Sequence, residues 1–247
     1  MEKKVALITG GTGEIGRAIC ERLGRNGCRA VAADLAATSE EAKSWHAHAS
    51  KSGIDLTLVE ADVTSMESCE RAVREVERGV GPVDILVNCA GITRDSTLRK
   101  LDKENWDAVL TTNLDSVFHV TKQVIDGMIS RGFGRIINIS SLNGIKGQFG
   151  QCNYSAAKAG MHGFTMALAQ EVARKGVTVN TVSPGYVETS MVGQVPPDVL
   201  NAIVSQIPVG RLGKPEEISA IVGFLASDEA AFVTGANISV NGGQHMY

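Results

Sequence analysis

Short apolar runs alternate with longer segments of helical periodicity along most of the chain. The apolar runs are rich in Val and Ile, and they predict β-strands at 4–9, 29–34, 54–63, 83–91, 134–141, 177–185 and 237–243. The periodic segments predict helices at 15–26, 39–53 (with Ser39 as N-cap), 65–79, 102–132, 154–176 and 214–227. Strands that alternate with helices of this length indicate βαβ units. The expected fold class is therefore α/β, a parallel sheet with helices on both faces.

One segment breaks this alternation. Residues 186–208 are polar, rich in Val and Pro, and form a connection that is longer than most. Long loops of this kind often close over a binding site, so we expect 186–208 to be a substrate lid. Because the chain contains no linker, repeat or low-complexity tract, residues 1–247 are expected to form a single domain.

Composition and charge argue against several classes of function. The net charge is -3 and there is no basic run, so a nucleic-acid surface is not expected. No segment approaches the length of a membrane span, and the first apolar run is too short for a signal-peptide core. Five scattered cysteines without a CxxC pair indicate reduced thiols in a cytoplasmic protein. The histidines do not cluster with the cysteines, so no metal site is expected.

A glycine-rich turn lies between the first predicted strand and the first predicted helix. Glycines allow the backbone to approach a pyrophosphate, and the helix N-terminus offers free N–H groups to the anion. At this place in the chain, the turn indicates a dinucleotide site. The residues expected to bind the dinucleotide there are Gly10, Gly11, Thr12, Gly13, Glu14, Ile15 and Gly16. Asp34 ends the second strand, where a carboxylate would accept hydrogen bonds from the adenosine ribose hydroxyls.

A serine, a tyrosine and a lysine are spaced for ketone–alcohol chemistry. Ser141 ends the fifth predicted strand, and Tyr154 and Lys158 share one face of the following helix. A neighbouring ammonium favours the phenolate and is expected to lower the pKa of Tyr154. The phenol can then give its proton to a carbonyl oxygen that is becoming an alkoxide, while Ser141 donates a second hydrogen bond to that oxygen. Because the Tyr-x-x-x-Lys pattern is weak alone, this interpretation depends on the nucleotide-binding turn.

Together these motifs resemble those of the short-chain dehydrogenase/reductase family over the entire chain. Beyond the turn and the Ser–Tyr–Lys set, the resemblance is carried by Asp62, Val63, Asn88, Cys89, Ala90, Gly91, Asn113, Ser183, Pro184 and Gly185. The resemblance implies a single Rossmann-type domain, a nicotinamide cofactor and a homotetramer. The chain departs from the family pattern at Glu14, where glycine is usual, and at Cys89, where asparagine is usual.

The resemblance also implies a role for each matching residue. Residues that follow the strands would line the dinucleotide from its adenine to its nicotinamide. These further cofactor contacts would come from Asp62, Val63, Asn88, Ala90, Gly91, Pro184, Gly185, Val187 and Thr189. Tyr154 would also contact the cofactor, Lys158 would also bind the nicotinamide ribose, and Asn113 would hold a water for proton relay. The implied catalytic residues are therefore Asn113, Ser141, Tyr154 and Lys158.

Within the family, the strings 90–95 and 147–155 most resemble enzymes that reduce acetoacetyl-CoA to (R)-3-hydroxybutyryl-CoA for polyhydroxybutyrate synthesis. This implies that, beside Ser141 and Tyr154, the acetoacetyl group contacts Gln148, Phe149, Gln151 and Tyr186, with Asp95 near the mouth. Amide donors suit the two carbonyls of a short β-keto thioester, and an aromatic wall suits its methyl end. A nearby basic set would either attract coenzyme A phosphates or form a solvated turn: Arg94, Arg99 and Lys100.

Two other functions are considered from the sequence. A 3-oxoacyl-carrier-protein reductase of fatty acid synthesis would run the same chemistry on a longer, protein-borne chain. It should show a basic docking patch beside the site. A non-catalytic dinucleotide-sensing protein on this fold should have lost Ser141, Tyr154 or Lys158, and all three are present.

Local charge favours NADH over NADPH. Asp34 is followed by the uncharged stretch 35–39 and then by two glutamates. A carboxylate about 5 Å from a 2′-phosphate costs roughly 3 kcal/mol per phosphate charge at an effective dielectric of about 20, before salt and relaxation reduce it. We therefore expect NADH to be preferred and NADPH to remain possible. The basic residues that would offset the repulsion by folding back are Arg17 and Arg29.

Overall fold

A parallel sheet lies at the centre of the computed structural model, which describes residues 3–190 and 197–246. Within these residues the strands are β1 (Val5–Thr9), β2 (Arg29–Asp34), β3 (Leu56–Glu60), β4 (Val83–Asn88), β5 (Gly134–Ile139), β6 (Val177–Pro184) and β7 (Asn237–Val240). Their order in the sheet is β3-β2-β1-β4-β5-β6-β7. The strand order reverses between β1 and β4, and such sheets bind ligands at the carboxyl ends of the strands on either side of this point.

Helices cover both faces of the sheet. They are α1 (Glu14–Arg25), α2 (Glu40–Lys51), α3 (Met66–Gly79), α4 (Lys103–Leu110), α5 (Ser116–Arg131), α6 (Asn143–Lys146), α7 (Cys152–Val172), α8 (Pro197–Ser205) and α9 (Pro215–Leu225). Ser39 caps α2 as expected, because its Oγ atom accepts from the Ala42 N–H at 3.1 Å. The predicted α/β class, a doubly wound parallel sheet with helices on both faces, is confirmed.

Alternating side chains of β1 explain how both faces of the sheet are buried. Ala6 and Ile8 belong to one core cluster, with side chains of α1, α2 and α9. Val5 and Leu7 belong to a second cluster, with side chains of α3, α5 and α7. A strand covered on both faces has no polar side, and this is why β1 reads as a continuous apolar run.

The predicted helix 102–132 is divided in two. A π-helical turn, Thr111–Asp115, separates α4 from α5, and Asn113 lies within it. The apolar positions on either side, including Val109 and Val117, remain buried across the turn. The periodicity therefore continues through the irregularity, which is why the sequence did not reveal it. Turns of this type are frequent at functional sites.

The segment 186–208 is not irregular throughout. It contains α8, and Val187 pairs with Gly213 in a short parallel bridge. Residues 191–196 lie outside the described part of the chain. The lid function of 186–208 stays a prediction.

The five cysteines are dispersed and free. Cys20, Cys28 and Cys69 are buried, Cys89 is half-buried and Cys152 is exposed. Within the described residues, no group of three or more His, Cys, Asp or Glu side chains is arranged to hold a metal ion. In the same part of the chain, no helix has the length and apolar character needed to cross a bilayer.

Candidate active site

A cavity of about 810 Å³ lies at the carboxyl ends of β1, β4, β5 and β6, where the strand order reverses. Its size suits a cofactor together with a small substrate. The predicted site residues that line it are Gly10, Thr12, Gly13, Glu14, Ile15, Gly16, Asp34, Asp62, Val63, Ala90, Gly91, Ser141, Gln151, Tyr154, Lys158, Pro184, Gly185, Tyr186, Val187 and Thr189. The cavity therefore brings together residues from distant segments of the chain, from Gly10 to Ser190.

The glycine-rich turn is closely packed where it reaches the cavity. Gly10 has a φ of +63°, and a Cβ atom added to it would lie 2.8 Å from the Ala90 Cα atom. A Cβ atom added to Gly16 would lie 2.1 Å from the Gly10 carbonyl oxygen. Gly13 is the N-cap of α1 and supplies no side-chain acceptor. The backbone therefore lies open at the helix N-terminus, and this cradle fits the pyrophosphate of a dinucleotide.

Charged side chains gather at the end of the cavity next to β2. Asp34 Oδ2 accepts from the Thr12 N–H at 3.2 Å, and Asp34 Oδ1 accepts from the Ala36 N–H at 3.1 Å. These bonds hold the carboxylate between the glycine-rich turn and the end of β2. Arg17 and Glu41 line the same end of the cavity. We call this region, formed by Arg17, Asp34 and Glu41, the adenosine end.

Two predicted cofactor residues lie behind the cavity wall and do not line it. Gly11 packs on β2, since a Cβ atom added to it would lie 2.6 Å from the Ala32 Cα atom. Asn88 is buried, and its Nδ2 atom donates to Asn138 Oδ1 at 2.8 Å and to Thr121 Oγ1 at 3.3 Å. Close packing of the turn and the two bonds donated by the buried Asn88 Nδ2 atom explain why these two residues face the protein interior, although Asn88 Oδ1 has no hydrogen-bond partner among the described residues. Their predicted contact with the cofactor stays a prediction.

The predicted serine, tyrosine and lysine lie on one wall. The Lys158 Nζ atom donates to the Ile139 carbonyl oxygen at 2.8 Å, and the Ser140 hydroxyl donates to the Lys158 carbonyl oxygen at 2.8 Å. These bonds join the first half of α7 to the end of β5. The Lys158 Nζ atom lies 5.7 Å from the centre of the Tyr154 ring, and Ser141 lines the same cavity. The fold thus places a hydroxyl, a phenol and an amine in the lining of one cavity.

Asn113 lies just behind this group. Its Oδ1 atom accepts from the Ile92 N–H at 2.8 Å, and its Nδ2 atom donates to the Ile92 carbonyl oxygen at 2.9 Å. A Cβ atom added to Gly91 would lie 3.2 Å from Asn113 Oδ1 and 3.4 Å from Lys158 Nζ. Asn113 therefore fixes the loop after β4 close to the lysine, although its side chain does not line the cavity.

A chain of hydrogen bonds, one from a backbone N–H and two between side chains, forms what we call the substrate end of the cavity. Ser141 Oγ accepts from the Asn143 N–H at 3.1 Å, and Asn143 Nδ2 donates to Gln151 Oε1 at 2.9 Å. Gln151 Nε2 in turn donates to Asp95 Oδ2 at 2.8 Å. Asn143 was missed from the sequence. Its position two residues after Ser141, just beyond the end of β5, was the available signal.

Two predicted substrate residues lie outside the cavity. Gln148 Oε1 accepts from the Lys146 Nζ atom at 3.0 Å, and the Phe149 side chain is 87% exposed. The turn that carries them is bounded by Gly147 and Gly150, whose φ angles are 72° and 77°. This turn holds both side chains outside the cavity lining, and the expectation that they surround the acyl group stays a prediction. Asp95 also lies outside the lining and reaches the site through Gln151.

Comparison with known proteins agrees with this geometry. A family model described as short chain dehydrogenase matches residues 4–199. The chain belongs to the short-chain dehydrogenase family. Such a dehydrogenase uses a nicotinamide dinucleotide, which when bound supplies or accepts the hydride. The glycine cradle, the carboxylate at the end of β2 and the Ser–Tyr–Lys wall fit that cofactor.

Individual relatives of the dehydrogenase cover its full length. The acetoacetyl-CoA reductase of Allochromatium vinosum is 57% identical over 99% of both chains. The acetoacetyl-CoA reductase of Cupriavidus necator is 56% identical over 100% of both. A 3-oxoacyl-[acyl-carrier-protein] reductase of Vibrio cholerae is 45% identical over 100% of this chain and 99% of its own. A crystal structure of gox2181 is 35% identical, covers 99% of this chain and 96% of that one, and has a TM-score of 0.93.

Burial controls the protonation of the dehydrogenase's tyrosine and lysine. Burial lowers the pKa of Lys158 from its usual value of 10.5 to about 8. Burial raises the pKa of Tyr154, and the hydrogen bond with Ser141 opposes this increase. The expected lowering of the Tyr154 pKa by its neighbouring ammonium is therefore wrong in direction. A buried phenol that keeps its proton is the acid form that carbonyl reduction requires.

The two departures from the family pattern are accommodated differently. Glu14 Oε2 accepts from the Ser190 N–H at 2.7 Å and from the Ser190 hydroxyl at 3.1 Å, which joins α1 to the start of the segment 186–208. Cys89 keeps its backbone position, because its N–H donates to Thr9 Oγ1 at 3.1 Å. Burial raises the pKa of the Cys89 thiol to about 11, so the side chain in the cavity wall is uncharged at neutral pH.

Proposed function

We propose that this dehydrogenase reduces acetoacetyl-CoA to (R)-3-hydroxybutyryl-CoA and feeds polyhydroxybutyrate synthesis. The relatives support this substrate, since a protein named acetoacetyl-CoA reductase is 57% identical whereas the carrier-protein reductase is 45% identical. The observation that carries the proposal is the hydrogen-bonded chain from Ser141 through Asn143 and Gln151 to Asp95. It orients the Gln151 amide and leaves one of its N–H groups for a carbonyl of a short β-keto thioester.

The proposed chemistry assigns one task to each side chain. Tyr154 gives its proton to the ketone oxygen, and Ser141 donates a hydrogen bond to that same oxygen. The Lys158 ammonium stabilises the phenolate that Tyr154 becomes, and it also binds the nicotinamide ribose. Asn113 holds a water through which a proton returns to Tyr154. Gln151 orients the thioester end, and Tyr186 lines the same cavity.

NADH is the preferred cofactor in this proposal, and NADPH is used less well. The support is Asp34, whose carboxylate is held at the adenosine end by two backbone N–H groups. We expect Asp34→Gly to lower the ratio of kcat/KM for NADH to that for NADPH at least about tenfold, which is about 1.4 kcal/mol. A wild-type ratio in favour of NADPH would contradict the preference. An unchanged ratio in the variant would exclude Asp34 as its cause.

The substrate is tested by comparing acetoacetyl-CoA with acetoacetyl-acyl carrier protein, while the loss of NADH absorbance is followed. We expect kcat/KM to be at least about tenfold higher for the coenzyme A thioester. Chiral analysis of the product should show the (R) alcohol. The competing function, 3-oxoacyl-carrier-protein reduction, is favoured by exposed basic side chains beside Asp95: Arg94, Arg99 and Lys100. A higher kcat/KM for the carrier-protein substrate would establish that alternative.

The proposed assembly is a cytoplasmic homotetramer. Phe118 on α5 and Met166 on α7 expose 51% and 52% of their surfaces, and a second copy of the chain would cover such apolar positions. Light scattering after size-exclusion chromatography should then give about four times the chain mass of 26.1 kDa. A monomer mass would contradict the assembly. In the same proposal, 186–208 closes over the substrate as a lid.

A further inference from the structure

Arg17 is the guanidinium that reaches the adenosine end of the cavity. It lies in the first helical turn of α1, directly after Gly16, and lines the same cavity as Asp34 and Glu41. Arg29 begins β2 and so lies at the opposite end of that strand, where its Nη1 atom donates to the Val80 carbonyl oxygen at 2.7 Å. Of these two arginines, Arg17 is therefore the one placed to meet the adenosine ribose.

Several contacts hold the Arg17 side chain in place. Its Nη2 atom donates to Glu41 Oε1 at 2.8 Å, and its guanidinium carbon lies 5.3 Å from the centre of the Trp45 ring. The Trp45 Nε1 atom donates to Glu21 Oε1 at 3.2 Å, which fixes that ring. The Arg17 Nε atom is buried and has no hydrogen-bond partner among the described residues. Arg17 is thus paired with one carboxylate, that of Glu41, and its Nε–H donor has no partner among the described residues.

The pair with Glu41 is open to competition. The Glu41 side chain is 79% exposed, whereas the Arg17 side chain is 24% exposed. Exposed ion pairs are weak and are screened by salt. A phosphate monoester carries up to two charges and three acceptor oxygens, and it forms bidentate bonds to a guanidinium. A phosphate at the adenosine end would therefore compete with Glu41 for Arg17.

We propose that Arg17 is the 2′-phosphate ligand of this dehydrogenase, and that Glu41 competes with the phosphate for it. Glu41 is then a second determinant of cofactor choice besides Asp34, and this assignment rests on the proposed preference for NADH. While Glu41 is paired with Arg17, the 2′-phosphate of NADPH meets a guanidinium that already has a partner, together with the carboxylates of Asp34 and Glu41. Removal of the Glu41 charge frees the Arg17 guanidinium and increases the affinity of the adenosine end for the 2′-phosphate of NADPH.

The test measures binding without turnover. Isothermal titration calorimetry at fixed ionic strength compares 5′-AMP with adenosine 2′,5′-bisphosphate, which differ only by the 2′-phosphate. In Glu41→Gln, we expect the affinity for the bisphosphate relative to 5′-AMP to increase about fivefold to tenfold. In Arg17→Gln, we expect this relative affinity to fall about tenfold. In a variant that already carries Arg17→Gln, the addition of Glu41→Gln should change the relative affinity for the bisphosphate less than about twofold.

Glu40→Gln is the matched control. It removes the same charge from the same helical turn, but the Glu40 carboxylate pairs with the Lys43 Nζ atom at 2.7 Å and does not line the cavity. We expect the ratio of the two affinities to change less than about twofold in this variant. An equal increase in Glu40→Gln and Glu41→Gln would mean that net charge causes the effect, and it would overturn the proposal.

Two further outcomes separate this inference from the proposed function. If Glu41→Gln raises the relative bisphosphate affinity as much without Arg17 as with it, Glu41 acts by repulsion alone and the inference fails. If wild type binds the bisphosphate more tightly than 5′-AMP, the proposed NADH preference fails. The coupling between Arg17 and Glu41 is still measured in that case, because it depends on the double variant and not on the wild-type ratio.

Discussion

The two ends of the cavity are built from different kinds of contact. At the adenosine end, backbone N–H groups of the glycine-rich turn and of the chain just after β2 hold Asp34 in position. At the substrate end, Ser141, Asn143 and Gln151 are joined to one another through hydrogen bonds that involve their side chains. The last member, Asp95, lies 56 positions before Gln151 in the chain.

This difference has consequences for substitution. At the adenosine end the N–H donors belong to the backbone and remain when Asp34 is replaced, so a substitution there should change the cofactor preference while the glycine-rich turn keeps its place. A chain of side-chain hydrogen bonds depends on each of its members, because the loss of one leaves the next without its partner. The substrate end should therefore lose activity steeply when a member is removed, and the cofactor affinity should remain.

The largest expected effect comes from Tyr154→Phe. Loss of the proton donor should reduce turnover of acetoacetyl-CoA at least about 1000-fold, because general acid catalysis contributes up to about 10⁴. The dissociation constant for NADH, measured by fluorescence titration, should change less than about twofold. Tyr186→Phe removes a second phenol of the same cavity and should cost less than about tenfold. Near-normal turnover in Tyr154→Phe would show that another group supplies the proton.

The pH dependence tests the buried lysine. Because burial lowers the pKa of Lys158 to about 8, its ammonium is present below that pH and is lost above it. We expect kcat/KM for NADH to fall about tenfold per pH unit above about 8, since the neutral amine binds the ribose and stabilises the phenolate less well. A decline in kcat/KM that begins only above about pH 10 would mean that deprotonation of Tyr154, whose pKa is raised by burial, causes the decline.

Two glutamines of the same stretch should behave differently. Gln151→Ala breaks the chain between Asn143 and Asp95, and we expect kcat/KM for acetoacetyl-CoA to fall about tenfold to thirtyfold. Gln148→Ala is the matched control, because that side chain contacts Lys146 outside the cavity; it should change kcat/KM less than about twofold. Equal losses in the two variants would show that the 147–150 turn moves over the substrate. NADH affinity, measured by fluorescence, should stay within about twofold in both.

The smallest expected effect concerns Glu14. Glu14→Ala removes the acceptor for the Ser190 N–H and hydroxyl, so NADH dissociation in stopped-flow fluorescence should accelerate about threefold. Glu14→Gln keeps an acceptor oxygen and should stay within about twofold of wild type. Slower dissociation in Glu14→Ala would show instead that the carboxylate acts mainly by repelling the pyrophosphate.

The order of elements could be predicted from the sequence because hydrophobic periodicity is a local property. The glycine-rich turn could be predicted because its glycines lie between an apolar run and a helical pattern that are adjacent in the chain. The pairing of Tyr154 with Lys158 could be predicted because residues four apart share a helix face wherever the helix lies. These features depend on neighbours in the chain, so they need no knowledge of the fold.

Only the tertiary structure decided which side chains from distant segments meet. It placed Asn143 between Ser141 and Gln151, and it paired Arg17 with Glu41 in the cavity that Asp34 also lines. It also turned Asn88 into the protein interior and raised the pKa of Tyr154, which its neighbouring lysine alone would have lowered. The physical reason is common to these cases: burial and long-range packing determine desolvation and hydrogen-bond partners, and neither follows from spacing along one strand or helix.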